Sequence, residues 1–275
     1  MEKETNEFYI GWQESAPDGI SRRVKQFVLA ICLIVPVVGA LLVLNQRGFS
    51  KSNFEFGETT ELEGVLMTSP APFLRIYRGN DVTDKPISQH ILLVKPGKHG
   101  MGEELADLAE KLHHSLDEQS VKIQGTLIYH DGKTLMEVEK ITSIMLDTTG
   151  IHTKPPLKSI GSGMFIGEIT DPKCLFGVMK PGHGKPHRSC GARCIAGGIP
   201  PVLKTISDSG NLQYYLLVDD RGAPLNDSIL PFVGDQVTIC GEVKMVGDWM
   251  VLYKAADKKI ELAPAEMRKE LPLCR

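Results

Sequence analysis

Three sequence blocks recur in the same order in the two halves of this chain, so the fold must be a unit that can be built twice. Glu63-Gly64-Val65-Leu66 is matched by Ile166-Gly167-Glu168-Ile169, and His90-Ile91-Leu92-Leu93-Val94 by Tyr214-Tyr215-Leu216-Leu217-Val218. Gln119-Ser120-Val121-Lys122-Ile123-Gln124-Gly125-Thr126 is matched by Asp235-Gln236-Val237-Thr238-Ile239-Cys240-Gly241-Glu242. A tight-turn signal follows each third block, His130-Asp131-Gly132 and Val246-Gly247-Asp248. Another apolar strand comes next, Leu135 to Val138 or Trp249 to Tyr253.

The blocks alternate or form short β-branched runs bounded by Gly, Asp and Pro, which predicts strands. In V-x-I-x-G the glycine lets a strand bend where a small barrel turns its corner. About five short strands per copy predict an OB-like barrel. The expected class is mainly β: one N-terminal transmembrane helix, then two OB-like barrels over residues 57–146 and 163–263. Both halves resemble OB-fold modules of bacterial envelope proteins, over residues 58–144 and 163–262. Such barrels often bind oligonucleotides or oligosaccharides, and that function is not inherited with the fold. The first copy is padded by Gly102 to Glu118, where Leu105, Leu108, Leu112 and Leu116 fall on one helical face. This predicts a helix between barrel strands three and four that the second copy lacks. His113 and His114 read as solvated. Residues 147–162 are Pro- and Gly-rich and read as a linker, and 264–275 as a tail.

Ahead of the barrels, Phe27 to Leu44 carries no charge. Eighteen residues at 1.5 Å each reach about 27 Å, close to the hydrocarbon thickness. Arg22, Arg23 and Lys25 precede it, while Arg47 and Lys51 follow. That bias predicts a cytoplasmic tail at 1–26 and exported barrels, anchored in the cytoplasmic (inner) membrane. Asn45-Gln46-Arg47 is no small-residue cleavage site, so an uncleaved anchor is expected rather than a signal peptide.

The segment 171–201, DPKCLFGVMKPGHGKPHRSCGARCIAGGIPP, is the chemically unusual part. It holds Cys174, Cys190 and Cys194, three of the six cysteines, with Met179, His183 and His187. No Asp or Glu occurs from Pro172 to Ser207, while Lys173, Lys180, Lys185, Arg188, Arg193 and Lys204 do. Its Gly and Pro density predicts irregular backbone. A long insertion of this kind inside a small domain is usually functional. The KC at 173–174, GKPHR-x-C at 184–190, C-I at 194–195 and GGIPP at 197–201 resemble a family of bacterial single-span membrane proteins with tandem OB-like domains. The resemblance implies the architecture and carries no activity with it.

Thiolate and imidazole are ligands for copper, zinc and iron, so Cys174, Cys190, Cys194, His183 and His187 are candidate metal ligands. C-x3-C with a nearby His is also similar in spacing to copper-transfer and dinuclear copper sites of respiratory proteins. Alternatively no cofactor is bound and two of the three cysteines form a disulfide. Closing a loop of about 15–20 residues would stabilise by roughly 3 kcal/mol. Lys180, Lys185, Arg188 and Arg193 form a candidate docking surface for a protein partner, haem propionates or lipid headgroups. Cys240 should face outward, because Val237 and Ile239 face inward; Cys32 lies in the span and Cys274 at the terminus.

There is no G-x-S-x-G, no H-E-x-x-H and no C-x-x-C-H, and His183 stands where a Walker loop needs Lys. Catalysis is therefore not expected. A formal net charge of -3 and only 6% aromatics argue against a nucleic-acid binder. The expected role is an accessory protein of an envelope redox or metal-handling system, with a protein partner in a membrane redox complex. The alternative is a binding or assembly module whose cysteines are structural.

Overall fold

The computed structural model describes residues 17–46, 52–84, 86–146, 157–207 and 210–263. The expected tail up to residue 16, linker residues 147–156 and the tail with Cys274 lie outside them. Helix α1 (Asp18–Gln46) contains the whole apolar run, with Pro36 inside and Asp18 in its first turn. It is long and apolar enough to cross a membrane, with a mean hydropathy of 3.1 in its most apolar window. The helix forms one compact unit and residues 51–275 another.

In the second unit the chain runs β1 (Ser52–Phe54), β2 (Thr60–Met67), β3 (Phe73–Asn80), β4 (Pro86–Val94), α2 (Gly102–Leu112), β5 (Ser120–His130) and β6 (Lys133–Met145). It continues as β7 (Lys158–Thr170), α3 (Arg188–Ala196), β8 (Val202–Ile206), β9 (Leu212–Val218), α4 (Asn226–Ile229), β10 (Gln236–Val246), β11 (Trp249–Lys254) and β12 (Glu261–Leu262). Strands β2-β3-β4-β6-β5 close back onto β2. Strands β7-β8-β9-β11-β10 close back onto β7 with the same connectivity. In each barrel one pairing is parallel, β4 with β6 and β9 with β11. These are two OB-type barrels, as the repeat requires, with β1 and β12 added as short edges.

The corner glycines do what the motif needs. A Cβ on Gly125 would lie 2.1 Å from the Glu137 carbonyl oxygen, and one on Gly241 would lie 2.2 Å from that of Tyr253. The strand can fold that closely over its hairpin partner only without a side chain.

Three sequence expectations need correction. β7 starts at Lys158, so residues 158–162 are strand rather than linker; Lys158 and Ser159 pair with Met245 and Lys244. α2 stops at Leu112 because His113 turns left-handed (φ 49°). Its buried face therefore uses Met101 and Leu105, while Leu112 is exposed and Leu116 is buried beyond the helix. The second barrel has the short helix α4 and a 3-10 turn, Leu230–Phe232, where α2 stands in the first.

His90–Val94 and Tyr214–Val218 are buried throughout because both of their faces are covered. Ile91 and Leu93 fill the first barrel, and Tyr215 and Leu217 the second. On the opposite faces Phe73, Leu92 and Leu135 meet Tyr214, Leu216, Trp249 and Val251 in a third core between the barrels. The interface is reciprocal. The His90 N–H donates to Asp248 Oδ1 at 2.9 Å, from the second barrel's hairpin, and the Trp249 indole donates to the His90 carbonyl at 2.8 Å. At the matching position Tyr214 donates to Asp131 Oδ2 at 2.9 Å, from the first barrel's hairpin, and lies 2.8 Å from His130 Nε2. Burying aromatic side chains of this size contributes about 2–3 kcal/mol each, which joins the barrels into one body.

Candidate metal centre

The insertion between β7 and β8 is ordered more than its composition predicts. Asp171 starts a π-type turn, Cys174–Val178, by accepting the Cys174 N–H on Oδ1 at 2.8 Å. Phe176 of that turn enters the inter-barrel core, stacked on His130 with ring centroids 4.7 Å apart. A 3-10 turn, Lys185–His187, then leads into α3. The GARCIA run thus forms a helix where irregular backbone was expected. Its tertiary setting supplies the stability: Cys194 and Ile195 are buried, and Gly197 accepts the Gly100 N–H of the first barrel at 2.8 Å. A Cβ on Gly197 would lie 1.8 Å from the Lys98 carbonyl oxygen.

This folding gathers the expected sulfur ligands. Cys174, His187 and Cys190 place one ligand atom each within 4.8 Å of one another, and so do Asp171, Cys174 and Cys194. The two groups share Cys174. Asp171 Oδ2 lies 2.8 Å from His187 Nε2, which donates to it, while Oδ1 holds the turn. Asp171 therefore orients His187. The donors fall in two overlapping groups, Cys174 with His187 and Cys190, and Cys174 with Cys194 and Asp171, whose thiols and imidazole are of the kind that zinc, copper or iron takes.

His183 is not among them. Its side chain is 46% exposed and its nearest carboxylate is Glu168, at 3.9 Å. Burial and the Lys204 charge lower its pKa. The expected disulfide is not formed either: Cys174, Cys190 and Cys194 are all free thiols. A hydrogen bond joins Cys174 and Cys194, raising the pKa of Cys174 and lowering that of Cys194. Burial opposes ionisation of Cys194, and Lys98 and Lys173 favour it. The arrangement holds one proton between two sulfurs. Cys240 faces outward on β10, as its alternation predicts, and belongs to neither group.

The sequence does not single out Lys98, and it names Lys173 without its role. Lys98, on the β4–α2 loop of the first barrel, donates to Cys190 Sγ at 2.7 Å and lies 4.0 Å from Cys194 Sγ. The Cys190 sulfur raises the Lys98 pKa in turn. Lys173, one of the cations of the acid-free stretch, is buried, ion-paired with Glu137 and bonded to the Lys95 and Gly97 carbonyls at 2.7 Å each. It clamps the loop that carries Lys98. Neither role has a local sequence signal, because the partners of both residues are far away in the chain.

The four expected docking cations have these surroundings. Lys185 and Arg188 both pair with Asp235, and Lys180 donates to Ser52 Oγ at 2.9 Å. Arg193 is exposed on α3.

No family model and no curated protein matches the sequence. Among solved structures, a deletion mutant of the single-stranded DNA-binding protein from Thermus aquaticus aligns over 81% of this chain and 92% of its own. Identity is 13% and the TM-score 0.20.

Proposed function

We propose that this chain is a membrane-anchored metal-handling protein, an accessory of an envelope redox or metal-supply system. α1 would hold it in the cytoplasmic membrane with both barrels on the extracytoplasmic side, following the Arg22, Arg23 and Lys25 bias. A partner in a membrane complex would dock beside the exposed Arg193. One observation carries the reading: two three-donor groups that share Cys174, with ligand atoms within 4.8 Å. Cys174, Cys190, Cys194 and His187 would hold the ion. Asp171 orients the imidazole, and Lys98 and Lys173 balance thiolate charge.

A nucleic-acid role is less well supported. Phe73, Phe176, Tyr214 and Trp249, which would make stacking platforms on open barrels, are buried in the inter-barrel core.

The test is metal content of the full-length protein in detergent, reduced anaerobically and offered zinc, ferrous iron or cuprous copper separately. The expected result is one ion per chain, lost in Cys174→Ser and kept in His183→Ala. Failure to retain any of the three ions would refute the proposal.

A further inference from the structure

We infer that the preferred ion is a soft monovalent metal, cuprous copper in chemical class, and that Met179 is its port of entry. This deepens the proposed metal site and rests on it. Met179 Sδ lies 3.5 Å from Cys190 Sγ, close enough for both sulfurs to face one ion. A thioether is a poor ligand for zinc but suits cuprous copper, which favours low-coordinate sulfur sites. Burial of the sulfurs is graded. Met179 is 44% exposed and Cys190 partly buried, while Cys174 (5%) and Cys194 (1%) lie beneath. An apolar residue exposed to that extent is ordinary alone; set against a thiol, it forms a two-sulfur mouth over a two-sulfur floor.

The same mouth is suited to exchange. Met179 and Cys190 would take the ion from a donor, and Cys174 would draw it inward as the sulfur shared by both donor groups. Copper enters and leaves as the monovalent ion, so no electrons are transferred. Each copper–thiolate bond formed releases the thiol's proton to solvent, and each bond broken takes one back. Lys98, bonded to Cys190 Sγ, competes for the same sulfur and keeps the outer position exchangeable.

The test compares cuprous copper and zinc affinities of the full-length reduced protein, each by competition with a chromophoric chelator. Met179→Leu keeps the size of an exposed side chain and removes only the thioether. It should weaken copper binding about 10-fold and change zinc binding by less than about 2-fold, as ligand softness requires. His183→Ala serves as the control and should change neither. Equal weakening of both metals, or no effect on copper, overturns the role of Met179. Tight zinc binding without copper binding overturns the choice of ion while leaving the metal site standing. Absence of both metals from the unaltered protein overturns the site and this inference together.

Discussion

The two barrels share one frame and differ most between their first and second strands. In the first, Thr68–Pro72 joins β2 to β3; in the second, Asp171–Pro201 joins β7 to β8. Both connections end alike: Pro72 accepts the Leu93 N–H at 2.8 Å, and Pro201 accepts that of Leu217 at 3.0 Å. The short connection leaves no room for chemistry. The long one carries three thiols and two imidazoles, and it takes its charge balance from the other barrel through Lys98 and Glu137. One copy thus holds the ligands and its twin completes their surroundings. Docking of the barrels and assembly of the site become a single event.

That dependence can be broken. The largest expected effect is from Gly197→Ala, because its Cβ would fall on first-barrel backbone. It should cost about 3 kcal/mol or more, lower the thermal midpoint and abolish metal retention. A variant that unfolds normally and keeps its ion would show that the barrels do not depend on this contact. Lys173→Met should follow closely. Removing a buried ammonium leaves Glu137 charged and two carbonyls without their donor, a loss of about 3–5 kcal/mol, read by denaturant unfolding.

His130 sharpens the comparison through pH. Burial lowers its pKa below the ordinary 6.5, so the folded chain keeps it neutral while the unfolded chain can protonate it. Its contribution is fully present above about pH 6.5 and is lost as pH falls towards the depressed folded value. His130→Gln should flatten the loss of stability between neutral pH and about pH 5, measured by unfolding at several pH values. An unchanged slope would place the acid sensitivity elsewhere. The smallest effect should come from Lys185→Ala. That ion pair lies at the surface, Arg188 still holds Asp235, and the change should be about 0.5 kcal/mol or less with unaltered metal content.

Much of the fold was legible because it rests on local rules. The V-x-I-x-G corner, the turn signals and the alternation in β10 depend on neighbouring residues, and each appears where expected. The blocks at 90–94 and 214–218 showed that they were strands, yet not that their second faces pack on each other, since an apolar run reads alike whatever covers it. The site was legible by residue type and not by membership. His187 and His183 stand four residues apart in equally basic surroundings. Only the fold sends one to Asp171 and leaves the other near the surface.

Sequence alone determined the apolar span, the duplication and the strands with their corner glycines, because chain length, side-chain polarity and backbone freedom act over a few residues. Tertiary structure decided which sulfurs meet, that Lys98 faces Cys190, and that Lys173 is buried. The two lysine contacts join groups 76 to 96 positions apart, brought together when two apolar barrel faces leave water.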